Sequence, residues 1–181
     1  MKQLRNYIDI RKKPSTIKVE NGNIFDVVTS ELDRLGNDAD LNHIDTSKVT
    51  DMAMLFDGNI VGNLADKSKV INPDISKWNV SNVTNMDYMF QWCKKFNCDI
   101  SDWDVSNVTS MNRMFKGCEE FNQPIGSWNV SKVTSMNSIF FNCEKFYQDL
   151  SSWTPNCREI DYRMFDGCPI KEEWKPKFKK K

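Results

Sequence analysis

The sequence predicts an α/β repeat: a solenoid of short strands and helical turns, closed at its N-terminal end by a helix. Three observations carry that expectation. Trp78, Trp103, Trp128 and Trp153 recur every 25 residues, as do Phe90, Phe115, Phe140 and Phe165, and Cys93, Cys118, Cys143 and Cys168. The phrases between them, "NVSNVTNMDYMF", "DVSNVTSMNRMF" and "NVSKVTSMNSIF", are near copies of one another. A unit this short cannot bury its own apolar face, so neighbouring units must stack into one continuous core.

Residues 1–44 read as an N-terminal extension and a capping helix. Ile24, Phe25, Val27, Val28 and Leu32 fall at helical spacing, and Leu35-Gly36 supplies a stop with Gly in the C′ position. Residues 45–168 read as about five repeats. The first, "DTSKVTDMAMLF", reaches its Trp only after an insertion over 57–73. Within each full copy the Val-Ser-Asn-Val-Thr stretch favours extended structure and turns. The Met-x-x-Met-Phe stretch is expected to form one helical turn presenting positions i and i+3. The last copy keeps Met164, Phe165 and Cys168 and loses its Val-Thr-x-Met part, as a terminal unit that must cover an open core would. Residues 169–181 then form a C-terminal cap, through Pro169, Ile170, Trp174 and Phe178, and a basic tail.

Composition narrows the function. A chain of 181 residues, 39% hydrophobic, suits a single folded domain with a real core. No apolar run approaches the roughly 20 residues of a spanning helix, and no signal-peptide h-region follows the first charges. A cytoplasmic protein with no membrane partner is therefore expected; a surface location would require a signal already removed. Lys+Arg 25 balance Asp+Glu 25, which argues against a nucleic-acid partner.

The phrase "FNQPIGSWNVSKVTSMNSIFFNCEKF" resembles the repeats of BspA-like leucine-rich-repeat proteins of bacteria and their phages. The lead-in "LGNDADLNHIDTSKVTDM" and the ending "MFDGCPIKEEWKPKF" are similar to the flanks around such repeats, so the resemblance spans Ile24 to Phe178. It implies a leucine-rich-repeat-like right-handed solenoid that binds other macromolecules, in a phage, mobile-element or surface-adhesion setting. It brings no catalytic residues with it.

Catalysis has little to stand on in the sequence itself. His43 is the one histidine, and it is read as a surface or capping residue; a nucleophile needs a base held nearby and a third group to orient it. The cysteine ladder lacks the paired spacing that zinc sites use and is read as core-filling free thiols. The Trp ladder could serve as an aromatic platform for sugars or bases, but repeat-locked aromatics read better as core. The acid pairs Glu119-Glu120 and Glu172-Glu173 are expected on solvated loops. The repeated Ser81, Ser106 and Ser131, with Thr50, Thr84, Thr109 and Thr134, are read as turn residues whose hydroxyls bond to backbone. No enzyme activity, metal or cofactor is expected.

Specificity in a repeat protein is carried by positions that break the pattern on the outside. Three columns do so: Tyr88, Arg113, Ser138, Arg163; Gln91, Lys116, Phe141, Asp166; and Trp92, Gly117, Asn142, Gly167. Tyr, Trp and Arg are enriched at interface hot spots. Tyr88, Gln91, Trp92, Arg113, Lys116, Phe141 and Arg163 are therefore the candidate partner-binding residues. Trp92 has a second reading, packed beneath the 57–73 insertion, and that insertion is itself a candidate binding loop. The expectation is a non-catalytic protein–protein interaction module, in the setting of a phage or mobile-element protein engaging a host or defence protein. The alternative is a structural component of a larger assembly, a virion or surface layer, or an adhesion protein; self-association is compatible with both.

Overall fold

A computed structural model describes residues 15–58, 71–157 and 163–178. The chain enters as a short strand, β1 (Ile17–Lys18), turns into the helix α1 (Ile24–Leu35) and continues to β2 (Ile44–Asp45). Strands β1 and β2 pair in parallel, Ile17 with Ile44 and Lys18 with Asp45. Helix α1 buries Ile24, Val28 and Leu32, one stripe at four-residue spacing. It ends as the sequence predicts: Gly36 lies at φ 98° and its N–H donates to the Leu32 carbonyl at 2.9 Å. Phe25, expected on the apolar stripe, is exposed. Just before α1, Asn21 fastens this end to the first repeat, its Oδ1 accepting the N–H groups of Thr50 and Asp51 and its Nδ2 donating to the Thr50 hydroxyl.

From there the 25-residue units lie one on the next. Parallel bridges link Asp51 to Asn85, Asn85 to Ser110, and Ser110 to Ser135. Beyond each bridge alternate N–H groups donate to carbonyls of the following unit. Met86 donates to Ser110, Tyr88 to Asn112, Phe90 to Met114 and Trp92 to Lys116, at 2.7–2.9 Å. The next unit repeats the scheme from Met111 to Ser135, Arg113 to Asn137, Phe115 to Ile139 and Gly117 to Phe141.

This bonding explains a departure from the expected helical turn. The Met-x-x-Met-Phe segments form no helix. Met89 donates to the Met86 carbonyl and Cys93 to the Phe90 carbonyl, closing two successive four-residue turns. The third residue of each turn has positive φ: 60° at Tyr88 and 62° at Trp92. A helical turn would aim successive N–H groups along its own axis, whereas stacking requires alternate ones to point along the stack. Positive φ at the third position is how a four-residue turn achieves this.

The core is a pile of aromatic rings. Phe56, Phe90, Phe115, Phe140 and Phe165 stack in one file, with centroids 5.4–5.7 Å apart and planes within 11°. Phe96, Phe121 and Phe146 form a second file at 5.8–5.9 Å. The files touch through Phe90–Phe96, Phe115–Phe121 and Phe140–Phe146 at 3.9–4.3 Å. Val, Met and Ile positions of each unit fill the space around them, and one continuous cluster runs from Val19 to Ile170. At the C-terminal end Trp174 and Phe178 pack against that cluster, and the Trp174 carbonyl accepts the Leu150 N–H at 2.9 Å.

Candidate functional site

The side chains that repeat are spent on the stack. Each ladder Trp is buried, and its indole N–H donates to a carbonyl one unit back: Trp78 to Leu41, Trp103 to Ile75, Trp128 to Ile100 and Trp153 to Ile125, at 3.0–3.3 Å. These rings present no face to a sugar or a base. The ladder thiols act alike, with Sγ of Cys93, Cys118 and Cys143 donating to the carbonyls of Phe56, Phe90 and Phe115 at 2.9–3.0 Å. Burial pushes all three thiols well up, and Cys157 and Cys168 are pushed up to about 11 by the same cause. A neutral thiol is the form that can donate, and it is a poor nucleophile.

Polar repeat positions hold turns. The Ser81, Ser106 and Ser131 N–H groups donate to Oδ1 of Asn79, Asp104 and Asn129, so here the backbone of Ser bonds to an Asx side chain. Of the Ser and Thr hydroxyls expected to bond to backbone, those of Thr84, Thr109 and Thr134 do so, donating to the carbonyls of Thr50, Thr84 and Thr109. The carboxyl groups of Asp99 and Asp104 are held below the usual range by the hydroxyl and then the N–H of Ser101 and Ser106.

His43 corrects an expectation. Its side chain is 7% exposed rather than on the surface, and Nε2 lies 2.8 Å from Oε2 of Glu31 on α1. Arg34 pairs with the same carboxylate, Nη2 to Oε2 at 2.6 Å. The Arg34 bond chiefly lowers the Glu31 carboxyl, burial opposes it and His43 adds to it. His43 Nδ1 is buried without a hydrogen-bond partner among the described residues. The group braces α1 against the segment before β2. Among the described residues no cluster of three or more His, Cys, Asp or Glu side chains is placed to hold a metal.

The candidate binding residues divide on exposure. Arg113 and Arg163 are exposed; Tyr88, Trp92, Lys116 and Phe141 are half-buried. Gln91 is a correction. It is 7% exposed, and its Nε2 donates to Oδ2 of Asp57 at 3.1 Å, so it faces the preceding unit rather than a partner. The 57–73 insertion lies outside the described residues over 59–70; its first described neighbour, Gly58, sits against the Trp92 backbone.

The Trp92 column has a rule that the sequence reading missed. Gly58, Trp92, Gly117, Asn142 and Gly167 alternate glycine with a side chain. Trp92 lies across Gly117, where a Cβ would meet Cζ3 of the indole at 2.7 Å; Gly117 also sits at φ 74°. Asn142 likewise covers Gly167, whose Cβ would meet Oδ1 at 2.5 Å. In this column the side chain of one unit lies across the backbone of the next, and glycine there leaves room for it. Gly117 and Gly167, 50 residues apart, are the signal that could have revealed this.

What remains on this edge is a set of cations seated on rings. The Arg113 guanidinium lies 5.4 Å from the Tyr88 centroid, and the Lys116 ammonium lies 5.4 Å from Trp92 and 5.0 Å from Phe141. Lys116 is held below the usual lysine range first by burial, then by the charges of Arg113 and Arg163. The structure thus gathers Tyr88, Trp92, Arg113, Lys116, Phe141 and Arg163 on one edge and leaves Gln91 inside.

No helix among the described residues is long and apolar enough to cross a membrane. A comparison with curated proteins gave no match, and neither did a comparison with solved structures. Residues 60–173 match the family described as Mycoplasma protein of unknown function, DUF285. That match takes in the ladder residues from Trp78 to Cys168, and with more than half of its 181 residues covered the chain belongs to the DUF285 family.

Proposed function

We propose that this protein is a non-catalytic protein-binding module: a right-handed, leucine-rich-repeat-like α/β solenoid of the BspA-like kind that holds a partner protein on the edge running from Tyr88 to Arg163. The setting that goes with this reading is a cytoplasmic phage or mobile-element protein acting on a host or defence protein. One observation carries it. The repeated side chains are buried or bonded within the stack, whereas Tyr88, Trp92, Arg113, Lys116 and Phe141, which differ between units, stand on an edge where backbone bonds join the units. An edge of that kind can change its chemistry without disturbing the scaffold, which is what recognition requires of it.

The test replaces Trp92, Arg113 and Phe141 together by polar residues and compares capture of partners from the native host, identified by mass spectrometry. Loss of a captured protein with retained melting temperature is the expected result. Capture of the same proteins at unchanged affinity overturns the reading.

A further inference from the structure

We infer that the edge bearing Arg113 and Lys116 takes an acidic peptide segment of its partner, whose carboxylates meet these cations while apolar side chains lie against Tyr88, Trp92 and Phe141. This step rests on the binding reading given above and names the partner's chemistry.

Several cations elsewhere are paired, although Lys171 also lies over rings, 4.3 Å from Trp174; what sets this edge apart is that two such cations stand together. Lys94 is paired with Glu119, Lys95 and Lys145 with Glu120, and Lys175 with Glu172. Arg113 and Lys116 have no carboxylate at ion-pair distance among the described residues; their neighbours are aromatic rings and one another. In a chain whose charges balance, 25 against 25, two adjacent cations without a counter-charge beside them make a local field that attracts an anion. Arginine supplies donors in a fork that matches a carboxylate, and the rings beside it supply apolar surface.

Dimensions favour a peptide over nucleic acid. Units joined in parallel-strand fashion repeat at about 4.8 Å, so the patch from Tyr88 to Phe141, two units on, spans roughly 10 Å. An extended peptide advances about 3.3 Å per residue and spans that distance with a few side chains. Single-stranded nucleic acid, by contrast, is held along a longer positive groove. The backbone under the patch is also set in advance: Tyr88 and Arg113, at φ 60° and 53°, donate their N–H groups to Asn112 and Asn137 at 2.8 and 2.9 Å. A surface ordered before binding loses little freedom on binding.

The experiment is fluorescence polarisation at about 150 mM salt, the regime where surface charges more than about 8 Å apart are screened. The probe is a labelled peptide of alternating glutamate and leucine; a lysine–leucine peptide and an oligothymidylate serve as comparisons. Saturable binding of the glutamate peptide alone is expected, weakened about tenfold or more by Arg113→Glu with Lys116→Glu, and to a smaller extent by Lys116→Gln alone. Lys132→Glu, an exposed site away from these rings, should leave it unchanged. No binding by the intact protein, equal weakening by Lys132→Glu, or tighter binding of the oligothymidylate overturns the proposal. Host capture separates this failure from failure of the binding reading. A captured partner lost on Arg113→Glu but lacking any acidic segment defeats the acidic-peptide inference alone; capture indifferent to the edge defeats both.

Discussion

At the Asn97–Asn122 edge, side chains join neighbouring units; at the Tyr88–Arg113 edge a run of backbone bonds joins them, with Asp87 and Asn112 adding side-chain bonds beside it. Oδ1 of Asn72 accepts the Asn97 N–H at 2.8 Å, Oδ1 of Asn97 accepts the Asn122 N–H at 2.9 Å, and Oδ1 of Asn122 accepts the Tyr147 N–H at 2.9 Å. Gln123 and Gln148 add their own bonds to Asn97 and Asn122. Each of these bonds needs a short side chain that carries an acceptor, so the residue type repeats. On the opposite edge N–H and carbonyl groups, which every non-proline residue owns, make the equivalent bonds. The side chains of that column vary: Tyr88, Arg113, Ser138, Arg163. Where the backbone does the joining, sequence is free to encode something else.

The largest effect should come from the interior that both edges enclose. Phe115 touches Phe90, Phe140, Phe121 and Trp128 and is fully buried. Phe115→Ala should cost about 3–5 kcal/mol in urea unfolding, and an unchanged midpoint would sink the stacked-core account. Next comes a place where the variable edge is not free. Gly117→Ala puts a Cβ into the Trp92 indole at a positive φ and should cost about 2 kcal/mol. In a Trp92→Ala background the same change should cost about 1 kcal/mol less, a coupling measurable as a double-mutant cycle. Additivity of the two would show that the indole does not lie across Gly117.

Smaller effects set the edges against each other directly. Asn97→Ala removes the acceptor for the Asn122 N–H and for Gln123, and a loss of about 1 kcal/mol is expected. Arg113→Ser copies the residue that the next unit carries at Ser138, also at φ 53°. It should shift stability by no more than about 0.5 kcal/mol. If Arg113→Ser proves as costly as Asn97→Ala, the distinction between a side-chain edge and a backbone edge fails.

Periodicity makes the interior legible in the chain alone. Trp, Phe, Met and Cys repeat because each must pack on its own kind one unit away, and that requirement is written at a fixed interval. Helix α1 and its Gly36 stop are legible for a local reason, apolar spacing followed by a glycine. The Met-x-x-Met-Phe turns mislead, because apolar residues three apart fit a helix and a pair of tight turns equally well. His43 misleads too: nothing local tells that Glu31, on α1, folds back to meet its ring. Gln91 belongs to a column that differs from unit to unit, yet Asp57 in the preceding unit draws it inward.

The sequence by itself determined that identical units would stack, and which side chains would be stacked, since a 25-residue unit has no other way to bury its apolar face. Only the tertiary structure decided which atoms join the units at each edge. Backbone donors and acceptors carry no residue signature, so their direction emerges only once the units are laid together. That direction put Tyr88, Arg113, Lys116 and Phe141 on one edge and placed cations on rings.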